Sequence, residues 1–341
     1  MSELQFALLA AVAKIAILIG LLLGIFSLMT YVERRVLAFM QFRLGPNRTG
    51  PFGLLQPVAD GIKLFFKEEV MPAGANRLGF YGAPVLAVAA ALMAIAVIPY
   101  GPPFQILGRT VQLQIADPDV GVLYIFAITS LGVYGVVLAG WSANSKYPLL
   151  GALRSSAQMF SYELSLGMSW VGVIMLAGSF RMNDIVNQQA DGLLRWNVFP
   201  QLLAFIVYFI AAAAEVSRTP FDLPEGETEL VAGFHTEYSS MKFALIQMAE
   251  YINMITVAVL CTNLFLGGWH SGFPGMLPDA PLFGFVYFTL KVAALLFVFI
   301  WLRGTLPRFR YDQLMHFGWK RLIPLVTLNI VVTSGFIAFR G

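Results

Sequence analysis

Six of the nineteen acidic residues fall between Glu215 and Glu237, in the run EVSRTPFDLPEGETELVAGFHTE. The run leaves one apolar stretch and leads into another, although only 12% of the 341 residues are charged. Carboxylates beside hydrocarbon are costly and mark ion or substrate paths. Three acids stand in or at the end of apolar stretches. They are Glu163 in SSAQMFSYELSLGMSW, Glu250 in MKFALIQMAEYINM, and Glu215 at the head of the acidic run. A row of such groups exchanges protons near neutral pH, because burial and neighbouring cations shift their proton affinity in opposite directions. Lys291 stands near the middle of another apolar stretch and extends the acidic path or holds one glutamate charged. Lys14 is read as snorkelling to an interface.

The elements that hold these groups are membrane helices. The chain is 58% hydrophobic with a mean hydropathy of +0.74. Apolar runs of about 20 residues indicate spans. Eight occur, at about 4–32, 79–100, 119–141, 156–178, 198–215, 243–266, 283–302 and 322–339. The first has no typical signal-peptide cleavage site and is read as a retained span. The expected fold is all-α: one polytopic membrane domain over 1–341, with eight transmembrane helices and an amphipathic interfacial helix in the first loop. No strand is expected. Of the 22 Lys and Arg, sixteen lie in the loops at about 33–78, 142–155, 216–242 and 303–321. The positive-inside rule makes those loops cytoplasmic and puts both termini outside. Glu163 and Glu250 then lie roughly 10 Å below the cytoplasmic surface, at 1.5 Å of rise per residue. Gln247, Glu250 and Asn253 share a sector of their helix that faces other helices. Two readings of the buried acids stand: a proton or ion path, or buried ion pairs and snorkelling side chains. Three acids on different helices at matched depth favour the path.

The cytoplasmic loops carry most of the polar information. In the first, LGPNRTGPFG is dense in turn residues. After it Leu54, Val58, Ile62 and Phe65 recur at helical spacing opposite Gln56, Asp60, Lys63 and Lys67. That segment is too short and too charged to span, so it lies at the membrane surface. Pro57 requires its place to be in the first turn. Glu33, Arg34 and Arg35 close the first span, and RGTLPRFRYDQLM after the seventh supplies Arg303, Arg308 and Arg310. Opposite charges on separate loops build a rigid polar vestibule. Glu225, Glu227 and Glu229 alternate at period two, which no single helix face carries, so an irregular cavity-lining loop is expected. A solvated charge run is the plainer alternative, and Pro220 and Pro224 argue against it by stiffening the segment.

The composition also excludes chemistry. Cys261 is the single cysteine, so no intramolecular disulfide or cysteine-ligated cluster forms. His235, His270 and His316 stand on separate loops and suggest no metal or haem site. No nucleotide fingerprint is present, and the basic loops follow from topology without nucleic acid. The chain is expected to hold no redox cofactor. A polar vestibule opening into a bilayer suits an amphiphile such as a quinone, whose reduction takes two electrons and two protons. Carboxylates relay the protons, and an electron-donating partner must dock at the cytoplasmic mouth.

The segments ERRVLAFMQFRLGPNRTGPFGLLQPVADGIKLFFKE, SYELSLG, EVSRTPFDLPEGETELVAGFHTEYSSMKFA and RGTLPRFRYDQLM resemble the signature segments of the H-subunit family of NADH-quinone oxidoreductase. This is the membrane subunit at the junction of respiratory complex I, and the likeness covers essentially the whole chain. The resemblance implies eight spans with both termini on the periplasmic side of a bacterial cytoplasmic (inner) membrane. It implies the entrance and floor of a chamber for ubiquinone or menaquinone, beneath soluble iron–sulfur subunits. It also implies contacts with small and antiporter-like membrane subunits, and a chain of buried carboxylates leading into the membrane arm. Glu33, Arg34, Asp60 and Lys63 match the family's vestibule segment. Glu215, Arg218, Asp222, Glu225, Glu227 and Glu229 match its acidic loop. Glu163 and Glu250 match its buried carboxylates, and Arg303, Arg308 and Arg310 its arginine segment. His235 stands where Asn is expected as often and receives no role. A membrane subunit of an energy-converting hydrogenase-type complex, a stand-alone ion transporter and a passive anchor remain as alternatives.

Overall fold

In hydrocarbon a backbone satisfies its polar groups within its own segment, so the apolar runs become helices. The computed structural model describes residues 3–106, 109–223, 231–273 and 281–340. Its helices are α1 (Glu3–Met40), α2 (Gln56–Phe66), α3 (Arg77–Ile95), α4 (Gly121–Ser142), α5 (Lys146–Ala177), α6 (Met182–Asn187), α7 (Leu202–Glu215), α8 (Ser240–Phe265), α9 (Pro281–Thr305), α10 (Tyr311–Phe317) and α11 (Ile323–Arg340). A π-helical turn, Gly318–Leu322, joins α10 to α11 in one continuous rod. The protein is an all-α polytopic membrane protein. Among the described residues, seven helical units are long and apolar enough to cross a membrane: α1, α3, α4, α5, α8, α9 and the α10–α11 rod. The expected fifth span is α7, which has 14 residues. At 1.5 Å per residue it reaches about 21 Å, short of a hydrocarbon core of about 30 Å.

Three helices run past the boundaries expected from hydropathy. α1 continues to Met40, so Glu33, Arg34 and Arg35 lie on the helix and not beyond its end. Glu and Arg are good helix formers, and no Gly or Pro intervenes before Gly45 and Pro46. α5 starts at Lys146 and tolerates Pro148 because it falls in the first turn. The final rod starts at Tyr311, so half of RGTLPRFRYDQLM is helix where a loop was expected. Hydropathy marks where oil ends, and the backbone ladder does not have to stop there. A further correction concerns strands. β1 (Phe104–Ile106) pairs antiparallel with β2 (Arg109–Val111), Phe104 opposite Val111. FQI alternates apolar with polar residues, the period a strand needs.

α3 packs on α4, α4 on α5, and α5 on α7, while α3 also packs on α8. α8 is the most enclosed span, and α1 and the α10–α11 rod are the least. Tyr162, Trp170, Tyr208 and Phe265 form the centre of the largest core cluster. Close helix approach in a membrane depends on small residues. A Cβ on Gly140 of α4 would stand 2.3 Å from the Ala152 Cβ and 2.4 Å from the Pro148 carbonyl oxygen of α5.

Candidate functional site

Glu33 of α1 is only 3% exposed. Its Oε1 accepts from Arg218 Nη1 at 3.0 Å and from Arg303 Nη1 of α9. Arg218 is itself buried, with its guanidinium over the Tyr251 ring of α8, 4.6 Å from the centroid. One carboxylate thereby ties α1, the segment after α7, and α9. Buried charge is tolerated in such a pairing, whereas removing one partner costs about 3–5 kcal/mol.

The start of the acidic run is a fixed element, not a loose loop. Gln158 of α5 donates through Nε2 to the carbonyls of Ala214 (2.8 Å) and Phe221 (2.7 Å). Phe221 packs against Tyr162 and stacks on Phe309, with ring centroids 5.5 Å and 5.6 Å away. The Phe309 amide donates to the Pro220 carbonyl at 3.0 Å, and Arg308 Nη2 donates to the buried Asp222 at 2.8 Å. Arg310 is matched by its own neighbour: Nε and Nη2 donate to Asp312 at 2.8 Å and 3.0 Å. Glu225, Glu227 and Glu229 lie outside the described residues.

α2 covers one side of this mouth. Arg34 Nη1 donates to Asp60 Oδ2 at 2.5 Å, and Gln56 Nε2 donates to Asp60 Oδ1 at 3.2 Å. Pro57 falls at the helix start, as the sequence requires. Lys63 is exposed, and no residue of α2 is buried: Val58, Ile62, Phe65 and Phe66 all present open side chains. Arg35 has a structural part. Its Nη1 donates to the Tyr31 hydroxyl and the Phe52 carbonyl, both at 2.7 Å, and so pins the turn before α2. That turn needs Gly53, whose φ is +81° and whose added Cβ would meet the Pro46 oxygen at 2.2 Å.

The acids of the spans meet at one step of α4, Thr129–Ser130. Glu163 of α5 is 7% exposed and contacts Ser130 Oγ. The same hydroxyl lies 2.8 Å from the Phe126 carbonyl. It has one proton to give, so when that proton goes to Phe126 the carboxyl must supply the one it shares with Ser130. Glu215, Ser217, Glu250, Asn253 and Thr129 line a cavity of about 60 Å³. Thr129, Glu215, Asn253 and Thr256 line an adjoining one of about 10 Å³. A water needs about 10–15 Å³, so the first space has room for several waters and the second for about one. The hydroxyls of Thr129, Ser130 and Ser217 and the amide of Gln158 were not among the expected site residues. A Thr–Ser pair in an otherwise apolar span is a signal for the first two, and nothing in the sequence singles out Ser217 or Gln158.

Lys291 is not brought to this group. Its Nζ donates to the carbonyls of Leu266 (2.6 Å), Gly268 (2.9 Å) and His270 (2.6 Å), and it lies 4.1 Å from the Trp196 ring centroid. Its three donors close the turn after α8, at the end of that helix away from Glu250.

A family model described as NADH dehydrogenase matches residues 13–334. A Koribacter versatilis protein, named as an H-subunit of NADH-quinone oxidoreductase, is 51% identical over 357 aligned positions, covering 100% of each chain. A Geobacter sulfurreducens protein of the same name is 53% identical, covering 95% of this chain and 93% of its own. A Thermomicrobium roseum protein, again named as the H-subunit of NADH-quinone oxidoreductase, is 52% identical, covering 93% of each. With its apolar helices, charged mouth and buried acids, the chain thus belongs to the NADH dehydrogenase family, among the membrane proteins named as H-subunits of NADH-quinone oxidoreductase.

Proposed function

We propose that this chain forms the quinone entrance and chamber floor of a proton-translocating NADH:quinone oxidoreductase, and begins the carboxylate path that couples quinone reduction to translocation. It acts as a single integral membrane domain without a redox centre of its own. Soluble iron–sulfur subunits dock on the cytoplasmic mouth and deliver electrons. Small and antiporter-like membrane subunits continue the arm in the inner membrane, and with α7 as a short eighth crossing both termini face the periplasm. The substrate is ubiquinone or menaquinone.

In this reading Glu33, Arg34, Arg35, Asp60, Lys63, Arg218, Asp222, Arg303, Arg308 and Arg310 border the vestibule. Glu225, Glu227 and Glu229 complete the acidic loop. Glu163, Glu215 and Glu250 hold and pass protons. Lys291, a backbone clamp by its geometry, leaves the path.

The observation that carries the proposal is the water-sized space shared by Glu215 and Glu250. Ser217, two residues into the acidic run, is also one of its walls. Dry packing there would have blocked any proton transfer between the mouth and α8. The test is proton pumping by the assembled enzyme in vesicles. Glu163→Gln and Glu250→Gln keep the shape of each side chain and remove its proton. Both variants should assemble normally and lose most quinone-linked pumping. Full pumping in both would remove the relay from the mechanism.

A further inference from the structure

At the end of the molecule away from the acidic mouth lies a cavity of about 380 Å³, between the N-terminal half of α1, the segment after β2, and the start of α9. That size falls within the ~300–1,000 Å³ of small-molecule sites. Leu18, Leu21, Leu113 and Phe285 are among its apolar walls, and Lys14 is its one cation. Lys14 Nζ donates to the Gln114 carbonyl at 3.0 Å, and among the described residues no carboxylate pairs with it. Gln114 lines the same cavity and is 4% exposed. Its Oε1 accepts from Asn183 at 3.0 Å, while its Nε2 is buried without a partner among the described residues.

Position adds a second constraint. Lys14 and Arg34 stand twenty residues apart on the continuous helix α1. At 1.5 Å per residue that is about 30 Å, the thickness of the hydrocarbon core. With Arg34 at the surface of one leaflet, Lys14 lies at headgroup level in the other. An unmatched cation at that depth, next to an apolar recess in a membrane-facing wall, is complementary to one kind of molecule. It carries a phosphate at the interface and a hydrocarbon chain below it.

We propose that this recess is a binding site for an anionic phospholipid of the far leaflet. The acyl chain lies along Leu18, Leu21 and Phe285. The phosphate accepts from the two Lys14 N–H groups not given to Gln114. The bound lipid thereby fixes the otherwise sparsely packed α1 against the β1–β2 ribbon and α9.

The test uses the chain in its native complex, extracted in mild detergent and incubated with phosphatidylglycerol bearing a photoreactive diazirine on its acyl chain. Labelling should map to peptides containing Leu18, Leu21 or Phe285. Lys14→Gln should reduce it roughly fivefold, one interfacial cation's share, and Lys14→Arg should restore it. Ala13→Trp, which fills the recess, should abolish it and leave labelling elsewhere unchanged. Labelling confined to other surfaces, or equal labelling in Lys14→Gln, overturns the proposal. So does crosslinking of a photoreactive residue at position 18 to a neighbouring subunit, since a protein would then occupy the recess.

Discussion

Lys291 and Glu33 show how one charge acquires its meaning from its partners. Glu33 is held between two guanidiniums, and its use is to join three elements at the mouth. Lys291 is held by three carbonyls, and its use is to close a turn. Lys291→Met should lower thermal stability of the purified complex by about 3 kcal/mol or more, since it removes three charge-assisted bonds, each worth about 1.5–3 kcal/mol and not fully additive. Lys291→Arg should recover part of that loss, while pumping per assembled enzyme stays the same in both. A proportionate fall in pumping would return Lys291 to the proton path. The sequence alone made both charges visible, Lys291 inside a span and Glu33 at the end of one, but it did not sort them. Acids on separate helices advertise themselves by being rare in oil. The partners of Lys291 are backbone groups, which every residue has and no sequence marks. Thr129 and Ser130 are hidden for a related reason. A hydroxyl in a membrane helix ordinarily bonds the carbonyl one turn back, as Ser130 also does, so its type gives no hint of a second partner.

Between elements, the closest approach is made by glycine. Gly140→Val would drive a branched side chain into the backbone of α5, where Pro148 and Ala152 leave no room. Overpacking of this kind costs about 1–3 kcal/mol, and more where backbone must move. The variant should reduce the amount of chain recovered from membranes. Gly82→Ala on α3, which has nothing within 4 Å of the added carbon, should not. Equal recovery of both would mean that the α4–α5 crossing adjusts freely. The helices themselves were legible from their apolar runs, as was α2 from its period and from Pro57. Their ends were less so. Hydropathy locates the hydrocarbon edge, while the backbone ladder of α1 runs on to Met40 and that of α5 stops at the left-handed Gly178. The ribbon escaped notice because three residues on each strand are too few to stand out among prolines and glycines.

For the whole molecule, most of the charge is gathered at one end, while the opposite end keeps smaller pairs, Arg181 with Asp117 and Asp119, and Arg195 with Asp191. The mouth combines exposed pairs, such as Arg34–Asp60, with buried ones, such as Glu33–Arg218. An exposed pair contributes about 0–1 kcal/mol, so removing it leaves the fold intact and reports on the site. Arg34→Ala or Asp60→Ala should therefore slow quinone reduction by the assembled enzyme while sparing NADH oxidation by an artificial soluble acceptor. Equal loss of both activities would point to failed assembly in place of a damaged entrance.

α2 has no buried side chain, and four large apolar residues on it stand open to the surroundings. A soluble protein would not keep such a helix in place. Such a face suits a membrane surface, where fatty chains and headgroups would supply the missing half of its packing. With α2 seated there, the thickness, fluidity and headgroup charge of the bilayer would bear on the shape of the opening beside it.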